Sequence, residues 1–114
     1  MNRVYESLNE KGIFIFDCKP TNSFKNKERY LEEKDFTFEW VCNTKNAPFV
    51  IIDINTTFKD GTKFNERHIE RGYSVDELKQ IIQSTKFELL EIYDTCELKE
   101  PNNESDLIQF VLKK

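Results

Sequence analysis

The chain has 114 residues, enough for one small domain with a core of its own and too few for a second independent one. Its net charge is −4, with 17 Lys and Arg scattered among 21 Asp and Glu, so it lacks the basic stripe that nucleic acid requires of a main binding partner. The three cysteines, Cys18, Cys42 and Cys96, are odd in number and far apart, which argues against both a disulfide framework and a zinc site of paired spacing.

Met1, Val4, Tyr5 and Leu8 recur at helical spacing, and Gly12 follows the polar Asn9, Glu10 and Lys11 where a left-handed cap would end a short amphipathic helix. Charged and apolar groups alternate through residues 1–11, which form neither the apolar run of a signal peptide nor a membrane span. A soluble, cytoplasmic protein with no membrane partner is the expectation. Ile13, Phe14, Ile15 and Phe16 are apolar on both faces, the pattern of a strand covered above and below in a parallel or mixed sheet, with Asp17 at its C-terminal end. Residues 19–34 are polar and charged and read as a connector, with a helical turn over residues 26–33 that lays Tyr30 and Leu31 against a neighbour.

Phe36, Phe38, Trp40 and Cys42 then alternate with Thr37, Glu39 and Val41, a turn follows over residues 43–48, and Val50, Ile52 and Ile54 resume the alternation. Lys59, Asp60, Gly61 and Thr62 carry the Asp-Gly hairpin signal, and residues 63–73 predict a return strand bearing Phe64, Ile69 and Tyr73. These three runs predict an antiparallel meander. Ser74, Val75, Asp76 and Glu77 spell a capping box, after which Val75, Leu78, Ile81 and Ile82 share one face of a helix. Residues 87–93 predict a strand, residues 95–105 a polar loop interrupted by Pro101, and residues 107–112 a last strand.

The order helix, strand, meander, helix, strand, strand, with the run Leu8-Asn9-Glu10-Lys11-Gly12-Ile13-Phe14-Ile15-Phe16-Asp17, resembles the fifth strand of a class I S-adenosylmethionine-dependent methyltransferase and the helix before it. Where the family commonly has Leu-Lys-Pro-Gly-Gly, this chain has Asn9-Glu10-Lys11-Gly12, and Ser84-Thr85-Lys86 stands where Ala-Gly is usual. The meander is similar to the antiparallel insertion that small-molecule methyltransferases place over the active site. Its most specific stretch, Phe64-Asn65-Glu66-Arg67-His68-Ile69-Glu70-Arg71-Gly72-Tyr73-Ser74, resembles the Phe-x-Glu-x-His-x-x-Arg-x-Tyr-Ser run of one bacterial branch.

The resemblance implies an α/β fold in a single C-terminal fragment over residues 1–114. Residues 1–18 and 74–114 would form a partial Rossmann-like sheet, its last three strands, with helices, and residues 35–73 an inserted antiparallel β-meander cap over the substrate. It implies a methyltransferase-related protein holding the acceptor-binding half and inactive alone. S-adenosylmethionine is the cofactor of the full-length family, but none is expected for this chain alone, because Gly12, Gly61 and Gly72 are its only glycines and cannot make the Gly-x-Gly loop. The implied partners are a small-molecule acceptor and either a homo-oligomer or a complementing N-terminal methyltransferase half, since the strand at residues 13–16 would lose a neighbour. A non-catalytic oligomerisation or small-ligand-binding module derived from the same fold is the alternative. An unrelated α+β domain would instead pair residues 13–16 with the meander.

Within this frame the candidate catalytic residue is His68, the only histidine, whose neutral imidazole can take the proton of an amine or hydroxyl acceptor. The competing reading is a half-exposed strand histidine paired with Glu66 or Glu70. Trp40, Glu66, Arg71, Tyr73 and Asp17 are the candidate substrate-binding residues. Arg71 offers a planar fork for a carboxylate or phosphate, or else a salt bridge to Glu66 or Glu39 across the meander. Tyr73 offers a ring to line the pocket. Trp40 and Phe38 fall on one face; Phe38 reads as core, while Trp40 is either core or an aromatic wall over a flat acceptor. Asp17 is a strand-end residue that either meets ligand or makes a turn.

Overall fold

The apolar run after Gly12 forms strand β1 (Ile13–Cys18). It pairs antiparallel along its whole length with β7 (Ile108–Lys113), whose other side pairs antiparallel with β6 (Glu88–Asp94), in the order β1-β7-β6. Residues 13–16 therefore meet the last strand of the chain and not the meander, against the pairing an unrelated α+β domain predicts. The structure, a computed structural model, describes residues 1–95 and 97–114, so Cys96 lies outside the described residues. Two compact units result, Met1–Ser23 with Tyr73–Lys114, and Phe24–Gly72.

In the first unit the expectation of a strand covered on both faces is corrected. Phe14 and Phe16 turn inward, while Ile13 is 47% and Ile15 54% exposed, the one-sided burial of an antiparallel sheet. Ile108, Phe110 and Leu112 of β7 meet Leu78 and Ile82 of helix α2 (Val75–Gln83) and Phe87, and Val4, Tyr5 and Leu8 pack on this core. Phe110 is fully buried and stacks on Phe16 with ring centroids 5.1 Å apart. Burying a side chain of this size stabilises the fold by roughly 1.5–3 kcal/mol.

Helix α1 (Asn2–Ser7) has only six residues and could not persist in isolation. Tertiary contacts hold it: the Lys114 ammonium donates to the Leu8 carbonyl at 2.8 Å and lies 5.0 Å from the centroid of the Tyr5 ring. The left-handed residue after it is Lys11, with φ 63°, not Gly12. Gly12 is required for space, since a Cβ there would stand 2.8 Å from the Asn9 carbonyl oxygen.

The capping box of α2 forms as predicted. Glu77 N–H donates to Ser74 Oγ at 3.1 Å, and Ser74 N–H donates to Glu77 Oε2 at 2.8 Å. Leu78 and Ile82 are buried, but Ile81 is 39% exposed, because the helical turn carries it off the stripe that Val75, Leu78 and Ile82 share. Between β6 and β7 the chain is tied down by the Ser105 hydroxyl, which donates to the buried Asp94 carboxylate at 2.7 Å and accepts from Asn102 N–H at 3.0 Å.

The second unit is a four-stranded antiparallel sheet, β2 (Lys27–Glu32), β3 (Phe36–Asn43), β4 (Phe49–Phe58) and β5 (Lys63–Arg71), in that order. The helical turn expected over residues 26–33 is corrected to a strand. Lys27, Arg29 and Leu31 alternate with Glu28, Tyr30 and Glu32, and each finds a partner on β3 that a helix would leave unpaired. The hairpin between β4 and β5 forms where predicted: Phe58 N–H donates to the Thr62 carbonyl at 2.8 Å, and Gly61 takes φ 89°. A turn over residues 44–48, with a cis Ala47–Pro48 peptide, links β3 to β4. The return strand ends at Arg71, so Tyr73 lies outside it, in the first unit, where its carbonyl accepts from Thr21 N–H at 3.1 Å. Among the described residues no helix is long and apolar enough to cross a membrane.

Candidate functional site

A pleated strand sends alternate side chains to opposite faces, and register carries that parity across a sheet. Arg29, Trp40, Ile54 and Glu66 are partners in one row of the second unit, and Lys27, Cys42, Ile52 and His68 are partners in a row two residues along each strand. Trp40, Glu66 and His68 therefore share one face. Glu70, opposite Val50, falls on it too. Arg71, opposite Phe49, has the other parity, which places it on the face away from Glu66. Of the six predicted residues the sheet groups three, while Asp17 and Tyr73 lie in the first unit.

On the shared face His68 Nε2 lies 3.1 Å from Glu66 Oε2, with both side chains substantially exposed. An ionised carboxylate only accepts, so Nε2 carries the hydrogen, and whenever the ring is neutral Nδ1 keeps the lone pair. The arrangement fixes the ring and aims its basic nitrogen away from Glu66. On the same face, with Ile54 of β4 between Trp40 and Glu66 in the row, the Arg29 guanidinium stands over Trp40, with Cζ 5.7 Å from the ring centroid. Arg29 was not among the residues predicted from the sequence, because its segment reads as a connector. The two-residue alternation of residues 27–32 is the signal that reveals it.

On the opposite face Asp53 receives a fork from Arg67, Nε to Oδ1 at 2.7 Å and Nη2 to Oδ2 at 3.0 Å. This hydrogen bonding and charge hold the Asp53 carboxyl below the usual carboxylate range and raise Arg67 above its ordinary value. The meander carries an ion pair of Arg67 with Asp53, and of the two expected partners of Arg71, Glu66 projects from the opposite face while Glu39 has the same parity as Arg71.

In the first unit Asp17 is exposed, opposite Gln109 and on the same side of β1 as Ile13 and Ile15. Strand β1 runs one residue beyond it, to Cys18, whose thiol is pushed up by burial and then by the Asp17 charge. Tyr73 packs half-buried against the core. Gly12, Gly61 and Gly72 lie too far apart in the sequence to make a Gly-x-Gly loop. Gly61 tips a hairpin and Gly12 closes against Asn9, while at the N-terminus of α2 the Glu77 amide bonds Ser74 Oγ and the first turn carries the acidic Asp76 and Glu77.

No model of a protein family matches the chain. A curated protein of Geobacillus sp. (strain WCH70), named provisionally as a methyltransferase, is 26% identical over 122 residues, which cover 99% of this chain and 49% of that protein. A solved S-adenosylmethionine-dependent methyltransferase from Clostridium acetobutylicum ATCC 824 superimposes with a TM-score of 0.81 at 21% identity, covering 96% of this chain and 47% of its own. The CcbJ methyltransferase from Streptomyces caelestis gives a TM-score of 0.73 at 16% identity, covering 96% and 46%. The chain spans about half the length of each of these proteins. Sequence and fold together identify it as similar to half of an S-adenosylmethionine-dependent methyltransferase.

Proposed function

We propose that the chain supplies the acceptor-binding side of an S-adenosylmethionine-dependent methyltransferase and works with a further polypeptide that completes the fold. The carrying observation is the extent of the likeness, nearly all of this chain against just under half of the Clostridium enzyme. In this reading β1, β7 and β6 are the last three strands of a Rossmann-like sheet, and residues 24–72 are the cap that covers an acceptor. His68 accepts the proton of an amine or hydroxyl through Nδ1, held in place by Glu66, while Trp40, backed by Arg29, gives a flat acceptor a ring to lie on. Arg71 is left out of this group because its strand parity sends it to the other face.

The chain has no Gly-x-Gly loop, so in this reading S-adenosylmethionine is held by the completing polypeptide. The open side of β1 supports such a partner: among the described residues the strand is bonded only to β7, and Ile13 and Ile15 stay about half exposed. Calorimetry with S-adenosylmethionine tests the reading. The chain alone gives no binding heat, and tight binding by a monomer would refute it. The same edge also favours a non-catalytic module that pairs with its own copy, which light scattering reveals as a stable homodimer.

A further inference from the structure

Five consecutive residues of β6, Leu89 to Tyr93, line one groove of about 1010 Å³ within the first unit. A β-bulge between Leu89 and Glu91 leaves Leu90 without a partner on β7, and the groove follows β6 through that irregularity to Tyr93. Among the described residues no strand follows β6 in the order β1-β7-β6, and its last residue, Asp94, is bridged to Lys99. An edge strand leaves the N–H and C=O of alternate residues without a ladder partner, and residues of α2 and of the loop before β7 line the same groove.

The walls carry two signatures. The first is apolar: Leu90 is 39% exposed, and Leu98 on the rim is 67% exposed with φ 51°. A left-handed leucine costs roughly 1–2 kcal/mol, which makes its outward placement a built feature. The second is acidic: Asp76, Glu91 and Glu100 outnumber Lys79 and Lys99, and the Lys99 ammonium is engaged by Glu97. A second copy of the chain suits the edge poorly, since antiparallel pairing over the whole strand sets Glu91 against Glu91 and Glu88 against Asp94.

We propose that this groove binds an extended basic and apolar segment of a partner protein, which adds to β6 as a strand with a cationic side chain against Glu91 and apolar ones against Leu90 and Leu98. The inference stands apart from the methyltransferase reading, since it uses none of the residues assigned to the acceptor.

The probe is a capped hexapeptide of alternating Val and Lys, titrated into the full chain labelled with nitrogen-15. Amide resonances of Leu89 to Tyr93 shift and exchange more slowly, and affinity falls about tenfold or more when alternate peptide nitrogens are methylated or the Lys residues become Glu. In the exposed-site variant Glu91→Lys the preference turns toward the Glu peptide, and Leu98→Ser weakens both. Equal binding of the methylated peptide, shifts confined to other residues, or no binding at millimolar peptide would overturn the proposal. A homodimer that protects the same amides would overturn it as well, in favour of a second copy.

Discussion

The guanidinium of Arg29 covers the indole of Trp40, and the two are register partners on β2 and β3. Such a contact at a partly exposed site contributes about 0.5–1 kcal/mol. Arg29→Ala is therefore expected to lower the urea midpoint by a corresponding amount and shift the emission of Trp40, the chain's single tryptophan. Unchanged emission would mean that the two side chains do not meet in solution.

Asp53 titrates below the usual carboxylate range because Arg67 bonds its charged form. A depressed folded value contributes stability that is complete above the ordinary carboxylate value of about 3.9 and is lost as pH falls through the folded value. The difference in urea midpoint between the parent chain and Asp53→Asn should be widest near neutrality and close in acid. Since the pair is exposed, added salt should narrow it too.

The reciprocal bonds of Ser74 and Glu77 make one unit. Ser74→Ala or Glu77→Ala costs about 1 kcal/mol, and the double variant costs less than the sum. Equilibrium denaturation of the four proteins measures the coupling, and strict additivity would show the two bonds to be independent.

Phe110→Ala removes a fully buried ring and should destabilise the chain by about 3–5 kcal/mol. Ile15→Lys, on the half-exposed face of β1, should change its stability by no more than about 0.5 kcal/mol while suppressing any association through that strand. Denaturation and light scattering on the pair separate core from contact surface.

Gly61 and Gly12 are needed for different reasons. At Gly61, with φ 89° and nothing within 4 Å of an added Cβ, alanine should cost about 1–2 kcal/mol of backbone strain. At Gly12 the obstacle is the Asn9 carbonyl at 2.8 Å, so alanine must move backbone, and the thermal midpoint should fall further.

Elements marked by local chemistry were readable from the sequence. The Ser74 box, the Asp60-Gly61 hairpin and the alternation of residues 36–42 each declare themselves within a few residues, and the structure carries all three. What depended on neighbours was not. Residues 27–32 become a strand because β3 offers them an edge, and their charge hid the alternation. Ile13 and Ile15 look like interior residues, yet no layer of the described chain covers them. The site divides in the same way. Spacing along β5 was enough to set Glu66 beside His68 and Arg71 on the other face, whereas the approach of Arg29 to Trp40 came from cross-strand register.

Pro20 and Tyr73 form a parallel bridge, and Thr21 bonds the Tyr73 carbonyl, so the chain departs for its long excursion and returns at adjoining points. An excursion whose two ends are clasped together makes little demand on the frame that carries it, because its length adds to closure entropy only logarithmically. Replacing residues 24–72 with a few flexible linker residues should thus leave β1, β6, β7 and α2 able to assemble. The same clasp would let a segment of different size take the place of residues 24–72 without rebuilding the frame.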